Sequence, residues 1–124
     1  MHKILKLNEI ADEGLQNFNT KKYYVGTDVT SPDAILLRSY DMHEMHIPTN
    51  LLAVGRAGSG VNNIPLEEMS KLAIPVFNAP GANANAVKEL VLAAILISAR
   101  NIHRAINFVN TLKNSENLKS DVES

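Results

Sequence analysis

Residues 54–63 read Val54-Gly55-Arg56-Ala57-Gly58-Ser59-Gly60-Val61-Asn62-Asn63, directly after the apolar residues 51–54. Three glycines within six residues allow a tight turn and let a ligand approach the backbone N–H groups closely. Arg56 adds a fork-shaped cation that suits a carboxylate or a phosphate. The stretch therefore predicts a small-anion site where a strand ends, which is where open α/β sheets bind their ligands.

The composition fits a soluble chain of at most one globular domain. The chain has 124 residues, of which 45% are hydrophobic and 20% charged, and its net charge is −1. The absence of a basic run and of Trp argues against a nucleic-acid partner. The absence of Cys excludes disulfides, thiolate metal sites and a Cys nucleophile, and suits a cytoplasmic protein. The longest apolar run, residues 90–99, is about half of what a membrane span needs, so no membrane partner is expected.

Short β-like runs alternate with helical stretches along the chain. The predicted strands are residues 3–7, 22–25, 34–37, 51–54 and 74–77. The predicted helices are one that Asn8 can cap, residues 64–73 and residues 84–112. This alternation predicts an α/β fold with a flavodoxin-like parallel sheet and flanking helices. Residues 40–50 are predicted to form a loop or a short irregular helix, in which Met42 and Met45 fill gaps in the core. The last helix, residues 84–112, is unusually long and apolar almost all round, so it needs more than one partner surface.

Polar residues follow two neighbouring strands of this predicted sheet. Arg38 and Ser39 come directly after the third strand, and Arg56 closes the fourth. Adjacent parallel strands would place both arginines on one rim, which suits an anionic ligand, although two ordinary surface arginines would give the same pattern. The loop of residues 78–85 adds an amide at this rim, and Asn83 or Asn85 can cap the last helix.

Two better-known motifs are incomplete in this sequence. A dinucleotide fingerprint G-x-G-x-x-G starting at Gly58 fails because Asn63 stands where the last glycine belongs. The run His43-Glu44-Met45-His46 lacks the spacing of a zinc-binding H-E-x-x-H motif because Ile47 takes the place of the second histidine. No metal site is therefore expected.

Four segments together resemble the D-isomer-specific 2-hydroxyacid dehydrogenases, and within that family the branch that oxidises 3-phosphoglycerate. They are Leu36-Leu37-Arg38-Ser39, residues 54–63, Ile74-Pro75-Val76-Phe77-Asn78-Ala79-Pro80, and residues 83–90. The resemblance implies that residues 1–82 are the N-terminal part of a flavodoxin-like substrate domain. Residues 83–113 would be a helix crossing between domains, and residues 114–124 a connector toward an NAD-binding domain.

The resemblance also implies roles for individual residues. Arg38 and Ser39 would approach the phosphate of the substrate, 3-phosphoglycerate, and Arg56 would lie in the same pocket. The backbone N–H groups of residues 57–59 would hold the substrate carboxylate, Ser59 would also touch the nicotinamide end of NAD, and Asn83 would lie beside the substrate. The catalytic Arg, His and carboxylate of the family lie beyond the matched region, so no catalytic residue is assigned and the chain alone is expected to be inactive. The full-length protein would be a homodimer or homotetramer.

Two alternatives remain open at this point. The chain could be a non-catalytic module that binds a small anion and dimerises through residues 90–99. Within the dehydrogenase interpretation, hydroxypyruvate, glyoxylate and D-lactate compete with 3-phosphoglycerate as the substrate.

Overall fold

The sheet is parallel throughout, as the sequence predicts. The computed structural model describes residues 1–123. Its elements are β1 (His2–Leu7), α1 (Asp12–Leu15), β2 (Tyr23–Gly26), β3 (Ala34–Leu37), β4 (Ala53–Arg56), α2 (Leu66–Lys71), β5 (Val76–Phe77), α3 (Ala84–Ala99), α4 (Ile102–Thr111) and α5 (Leu118–Glu123). The five strands of this described part form one sheet in the order β2-β1-β3-β4-β5. This is the flavodoxin-like order, and it confirms the predicted fold.

The sequence pattern predicted the bounds of β3 correctly but not those of β4. The observed β3 coincides with the predicted third strand, whereas β4 begins two residues later than predicted and includes Gly55 and Arg56. Gly55 belongs in the strand because a Cβ there would lie 2.9 Å from Cδ2 of Leu36 on the neighbouring strand. The glycine is thus needed for close strand packing and does not end the strand.

The core lies around the central strands and draws on the long loop between β3 and β4. Its buried members are Leu5, Ile35, Leu37, Met42, Ile47, Leu51, Val54, Ile64, Met69 and Ile74. Residues 40–50 form a loop, the first of the two predicted alternatives, and this loop contributes Met42 and Ile47 to the core. Met42 is fully buried and Met45 partly buried against the same cluster, which confirms their predicted packing role.

The helices differ most from the sequence expectation. Ala11 and not Asn8 occupies the N-cap position of α1, which is only four residues long. The single helix predicted for residues 84–112 is two helices, because Asn101 adopts a left-handed conformation with φ 52° between α3 and α4. Asparagine tolerates this conformation better than most residues, so the break needs no glycine. The predicted polar connector contains α5, and its last residue, Ser124, lies outside the described residues.

The chain divides into two compact units, Met1–Ala82 and Asn83–Ser124. The first holds the whole sheet, and the second holds α3 to α5, in which α3 and α4 contact each other. Within residues 1–123, no helix has the length and apolarity that crossing a membrane requires.

A strained alanine ends α2. Ala73 has φ 54°, and the N–H groups of Ala73 and Ile74 close the helix onto the carbonyls of Ser70 and Met69. A Cβ is disfavoured in this left-handed conformation, so we expect Ala73→Gly to raise the free energy of unfolding by about 0.5–1 kcal/mol in urea titrations. Ala94→Gly, inside α3, is the control and should lower it, because glycine is disfavoured in a helix interior. An Ala73→Gly variant no more stable than wild type would contradict this account.

Asp33 joins the starts of β1 and β3. Its Oδ2 accepts a hydrogen bond from the Lys3 N–H at 2.8 Å, and its own N–H donates to the Lys3 carbonyl at 2.8 Å. The Lys3 hydrogen bond, with smaller help from Asn50 and His2, holds the pKa of Asp33 below the ordinary 3.8. The carboxylate therefore stabilises the fold fully above the unfolded pKa, and this contribution is lost as the pH falls through the folded pKa.

We expect NMR titration to give Asp33 a pKa below 3.8. Asp33→Asn should lose less stability than wild type on acidification, measured by urea unfolding across this pH range, because an amide does not titrate. A titration midpoint at or above the ordinary value would show that the Lys3 hydrogen bond does not form in solution.

Candidate anion-binding site

The carboxyl rim of β3 and β4 brings the two predicted arginines together. Leu37 pairs with Arg56 in the parallel register, so Arg38 follows β3 beside the end of β4. The Arg56 Nε donates to the Arg38 carbonyl at 2.9 Å, while the side chains of Arg38 and Ser39 are exposed. The rim lies next to the gap between β1 and β3, where the chain connections reverse direction, and this is the usual ligand position in such sheets.

Arg56 lies inside the glycine turn, and two of its nitrogens donate to backbone carbonyls. Besides the Nε bond, its Nη1 donates to the Gly60 carbonyl. A Cβ on residue 58 would lie 2.8 Å from this Nη1, so Gly58 makes room for the guanidinium. Within the described chain, Nη2 donates no hydrogen bond and stays available to an anion. Arg56 is therefore mainly a brace of the turn and only in part a free cation.

Some backbone N–H groups of the glycine turn donate hydrogen bonds within the protein, and others do not. The Ala57 N–H donates to the Leu37 carbonyl at 2.8 Å, and the Gly58 N–H donates to the Arg56 carbonyl at 2.9 Å. Among residues 1–123, the N–H groups of Ser59 and Gly60 find no acceptor. The N–H groups of Ala57 and Gly58 are therefore already used within the protein. Of the three N–H groups predicted to bind a carboxylate, only that of Ser59 is free in the described chain.

A second loop fixes the far side of the glycine turn. The Asn78 side-chain amide donates to the Ser59 carbonyl at 2.8 Å, and the Ala79 N–H donates to the Gly58 carbonyl at 2.9 Å. Beside these loops lies a small cavity of about 210 Å³. It is lined by residues at the ends of β3, β4 and β5 and by one residue after β1, namely Leu36, Gly55, Arg56, Ala57, Phe77, Asn78 and Ile10. Ser59 and Gly60 are thus held through their carbonyl groups, which accept from Asn78 and Arg56. Their N–H groups remain free to donate to a ligand.

Two asparagines hold the turn after β3, and sequence reasoning missed both roles. The Asn8 Oδ1 accepts the N–H groups of Arg38, Ser39 and Tyr40 at 3.4, 2.9 and 2.6 Å. The Asn63 Nδ2 donates to the carbonyls of Arg38 and Tyr40 at 3.2 and 2.7 Å. Asn8 was predicted to cap a helix, but its side chain bonds to this turn. The one sequence signal for this role is that a polar residue directly follows a strand.

The electrostatics of the rim favour an anion. Among the described residues, the ion-pair contacts join His2 to Asp33 and His43 to Asp41, and no carboxylate pairs with either arginine of the rim. The Arg56 guanidinium therefore lies against the Arg38 backbone, and neither arginine has a carboxylate counter-charge within ion-pair distance in this part of the chain.

Asn83 and the run of residues 43–46 belong to other segments of the chain than the turns described above. Asn83 occupies the N-cap position of α3 without a side-chain capping bond, and it begins the second unit, so its place beside a substrate stays a prediction. His43 Nδ1 lies 2.6 Å from Asp41 Oδ1 on an exposed loop, where its hydrogen bonds hold the pKa of Asp41 below the usual value. Across residues 1–123, no three His, Asp or Glu side chains are grouped to hold a metal ion.

The family model for the D-isomer specific 2-hydroxyacid dehydrogenase catalytic domain matches residues 7–122. The chain belongs to this dehydrogenase family. The match includes Asn8 and the whole rim described above.

Similar curated proteins include D-3-phosphoglycerate dehydrogenases and a hydroxypyruvate reductase. A D-3-phosphoglycerate dehydrogenase of Archaeoglobus fulgidus is 37% identical over 81 residues, which is 63% of this chain and 15% of that protein. A hydroxypyruvate reductase of Thermotoga maritima is 43% identical over 56 residues, 45% of this chain and 18% of that protein. A D-3-phosphoglycerate dehydrogenase of Methanocaldococcus jannaschii is 46% identical over 55 residues, 44% of this chain and 10% of that protein. The matched part is thus less than a fifth of each of these relatives.

The bracing role of Arg56 is testable by a conservative substitution. Lysine keeps the charge but cannot donate to two carbonyls from one planar group, so we expect Arg56→Lys to lower the free energy of unfolding by about 1–2 kcal/mol in urea titrations. Arg104→Lys on α4 is the matched control and should change stability by less than about 0.5 kcal/mol. Equal effects of the two substitutions would show that the charge alone matters at position 56.

Proposed function

We propose that this chain is the N-terminal substrate-binding part of an NAD-dependent D-3-phosphoglycerate dehydrogenase, which oxidises 3-phosphoglycerate to 3-phosphohydroxypyruvate for serine biosynthesis. The observation that carries the proposal is the pair of rim arginines without a carboxylate partner in the described chain. Membership of the 2-hydroxyacid dehydrogenase family supports the reaction class, and the names of two relatives support the phosphorylated substrate.

The proposed substrate position follows from which groups are free. The Arg38 guanidinium and the Ser39 hydroxyl make no hydrogen bond within residues 1–123, and both residues belong to a turn whose backbone is held by hydrogen bonds. They would receive the phosphate, and Nη2 of Arg56 would add a second cation. The free N–H of Ser59 would bind the carboxylate at the other end of the substrate.

The residues present fit only one end of NAD. The Ser59 side chain is exposed and makes no hydrogen bond in the described chain, so it is free to meet the nicotinamide. The glycine turn does not suit the pyrophosphate, because α2 begins only at Leu66 and does not follow the turn directly. NAD would supply the hydride acceptor, while this chain's own residues bind and orient the hydroxy acid. No catalytic base is proposed within this chain, which we expect to be inactive alone.

One second candidate has its own support. The relative from Thermotoga maritima is named a hydroxypyruvate reductase, and its identity to this chain is similar to that of the phosphoglycerate enzymes. A substrate without phosphate would leave Arg38 without its anion, so the two candidates differ in what this residue contributes.

Calorimetric titration of the chain with 3-phosphoglycerate and with glycerate separates these candidates. We expect wild type to prefer the phosphorylated acid, and Arg38→Ala to weaken 3-phosphoglycerate binding about 10-fold or more, because a charge-assisted hydrogen bond contributes about 1.5–3 kcal/mol. Glycerate binding should change little.

Arg104→Ala, remote in sequence from the rim, is the control and should leave both affinities unchanged. If Arg38→Ala reduces both affinities equally, or if wild type binds the two acids alike, the phosphate assignment is wrong and hydroxypyruvate becomes the better candidate.

A further inference from the structure

The turn of residues 38–40 has no regular secondary structure, yet most of its backbone polar groups are satisfied by side chains. The Asn8 side-chain oxygen accepts hydrogen bonds from all three N–H groups. The Asn63 amide donates to the carbonyls of Arg38 and Tyr40, and Arg56 Nε also donates to the Arg38 carbonyl. A backbone segment held on both its donor and its acceptor sides has few other conformations available.

Asn8 is held in a costly conformation that serves this contact. Its φ is 70°, in the left-handed region, directly after β1. Because Leu7 pairs with Leu37 in the parallel register, Asn8 lies beside the start of the turn. The left-handed backbone turns the chain out of the sheet, and its side-chain oxygen reaches the N–H groups of the neighbouring strand's end.

The contact also decides which groups are left for a ligand. With the N–H groups of residues 38–40 directed at Asn8 Oδ1, this turn offers an anion its side chains and not its backbone. The direction of the Arg38 and Ser39 side chains is then set by the backbone that Asn8 holds.

We propose that Asn8 is a positioning residue, which fixes the turn of residues 38–40 so that Arg38 and Ser39 meet the phosphate of a phosphorylated hydroxy acid. The inference rests on the proposed function for the nature of the anion. The hydrogen bonding itself is independent of the ligand and can be tested separately.

Asn8→Gly removes the acceptor without adding backbone strain, since glycine accepts a positive φ. We expect the amides of Ser39 and Tyr40 to exchange with solvent about 10-fold faster or more by NMR, while the β1–β3 ladder keeps its protection. The dissociation constant for 3-phosphoglycerate should rise about 10-fold, because a mobile turn must be ordered on binding.

Two further variants separate positioning from general destabilisation. Asn8→Asp retains an acceptor and tolerates the same backbone, so it should restore the protection of Ser39 and Tyr40. Asn50→Ala removes a comparable brace at the amino ends of β3 and β4, where Asn50 Nδ2 donates to the Pro32 carbonyl at 3.0 Å. This control should leave both the exchange at Ser39 and the affinity for 3-phosphoglycerate unchanged.

The outcomes distinguish this inference from the function it rests on. Unchanged exchange at Ser39 and Tyr40 in Asn8→Gly, or faster exchange with unchanged affinity, overturns the positioning role while the proposed function stands. A wild-type chain that binds neither 3-phosphoglycerate nor inorganic phosphate overturns the proposed function and the anion it assigns. The exchange data alone then decide whether Asn8 holds the turn.

Discussion

The enclosure of the Arg56 side chain by the glycine turn is the interaction on which the rest of the rim depends. One guanidinium donates to the carbonyls of Arg38 and Gly60, so it ties the end of β3 to the far side of the turn after β4. The arrangement requires a residue without Cβ at position 58, since a Cβ would meet Nη1 at 2.8 Å. The two bonds use different nitrogens of one planar group, a fixed spacing that an ammonium with all its donors on a single nitrogen does not reproduce.

The two neighbouring arginines differ in whether their guanidinium groups are used within the protein. Arg56 is half-buried and uses its donors on backbone, whereas Arg38 is exposed and its guanidinium has no partner in the described chain. Holding the Arg38 backbone lowers the conformational entropy that a ligand must remove when it binds. Neither arginine would serve alone, because a fixed turn without a free cation attracts no anion and a free cation on a mobile turn binds it weakly.

The alternation of apolar runs and helical stretches in the sequence predicted the sheet. Contacts between residues far apart in the sequence could not be predicted from it. The apolar run of residues 34–37 carries its own signal, and β3 has those bounds. The glycine at position 55 misled the assignment of β4, because its role depends on Leu36 of the neighbouring strand. The bonds of Asn8 join residues 30 to 32 apart in sequence, so local pattern assigns that asparagine to the nearest helix. The break at Asn101 has the same cause, since a single left-handed residue leaves no trace in hydrophobic periodicity.

Anion recognition in α/β sheets commonly uses backbone N–H groups at the start of a helix. Here that route is closed at the turn after β3, where Asn8 takes the three N–H groups, and α2 starts nine residues beyond Ala57, at Leu66. Under the proposed function, the positive charge would come from side chains: Arg56 ends β4, and Arg38 directly follows Leu37, its partner in the register. The choice of substrate would then depend on few residues, since a change at the exposed Arg38 would alter the charge offered to the ligand without removing a residue of the sheet.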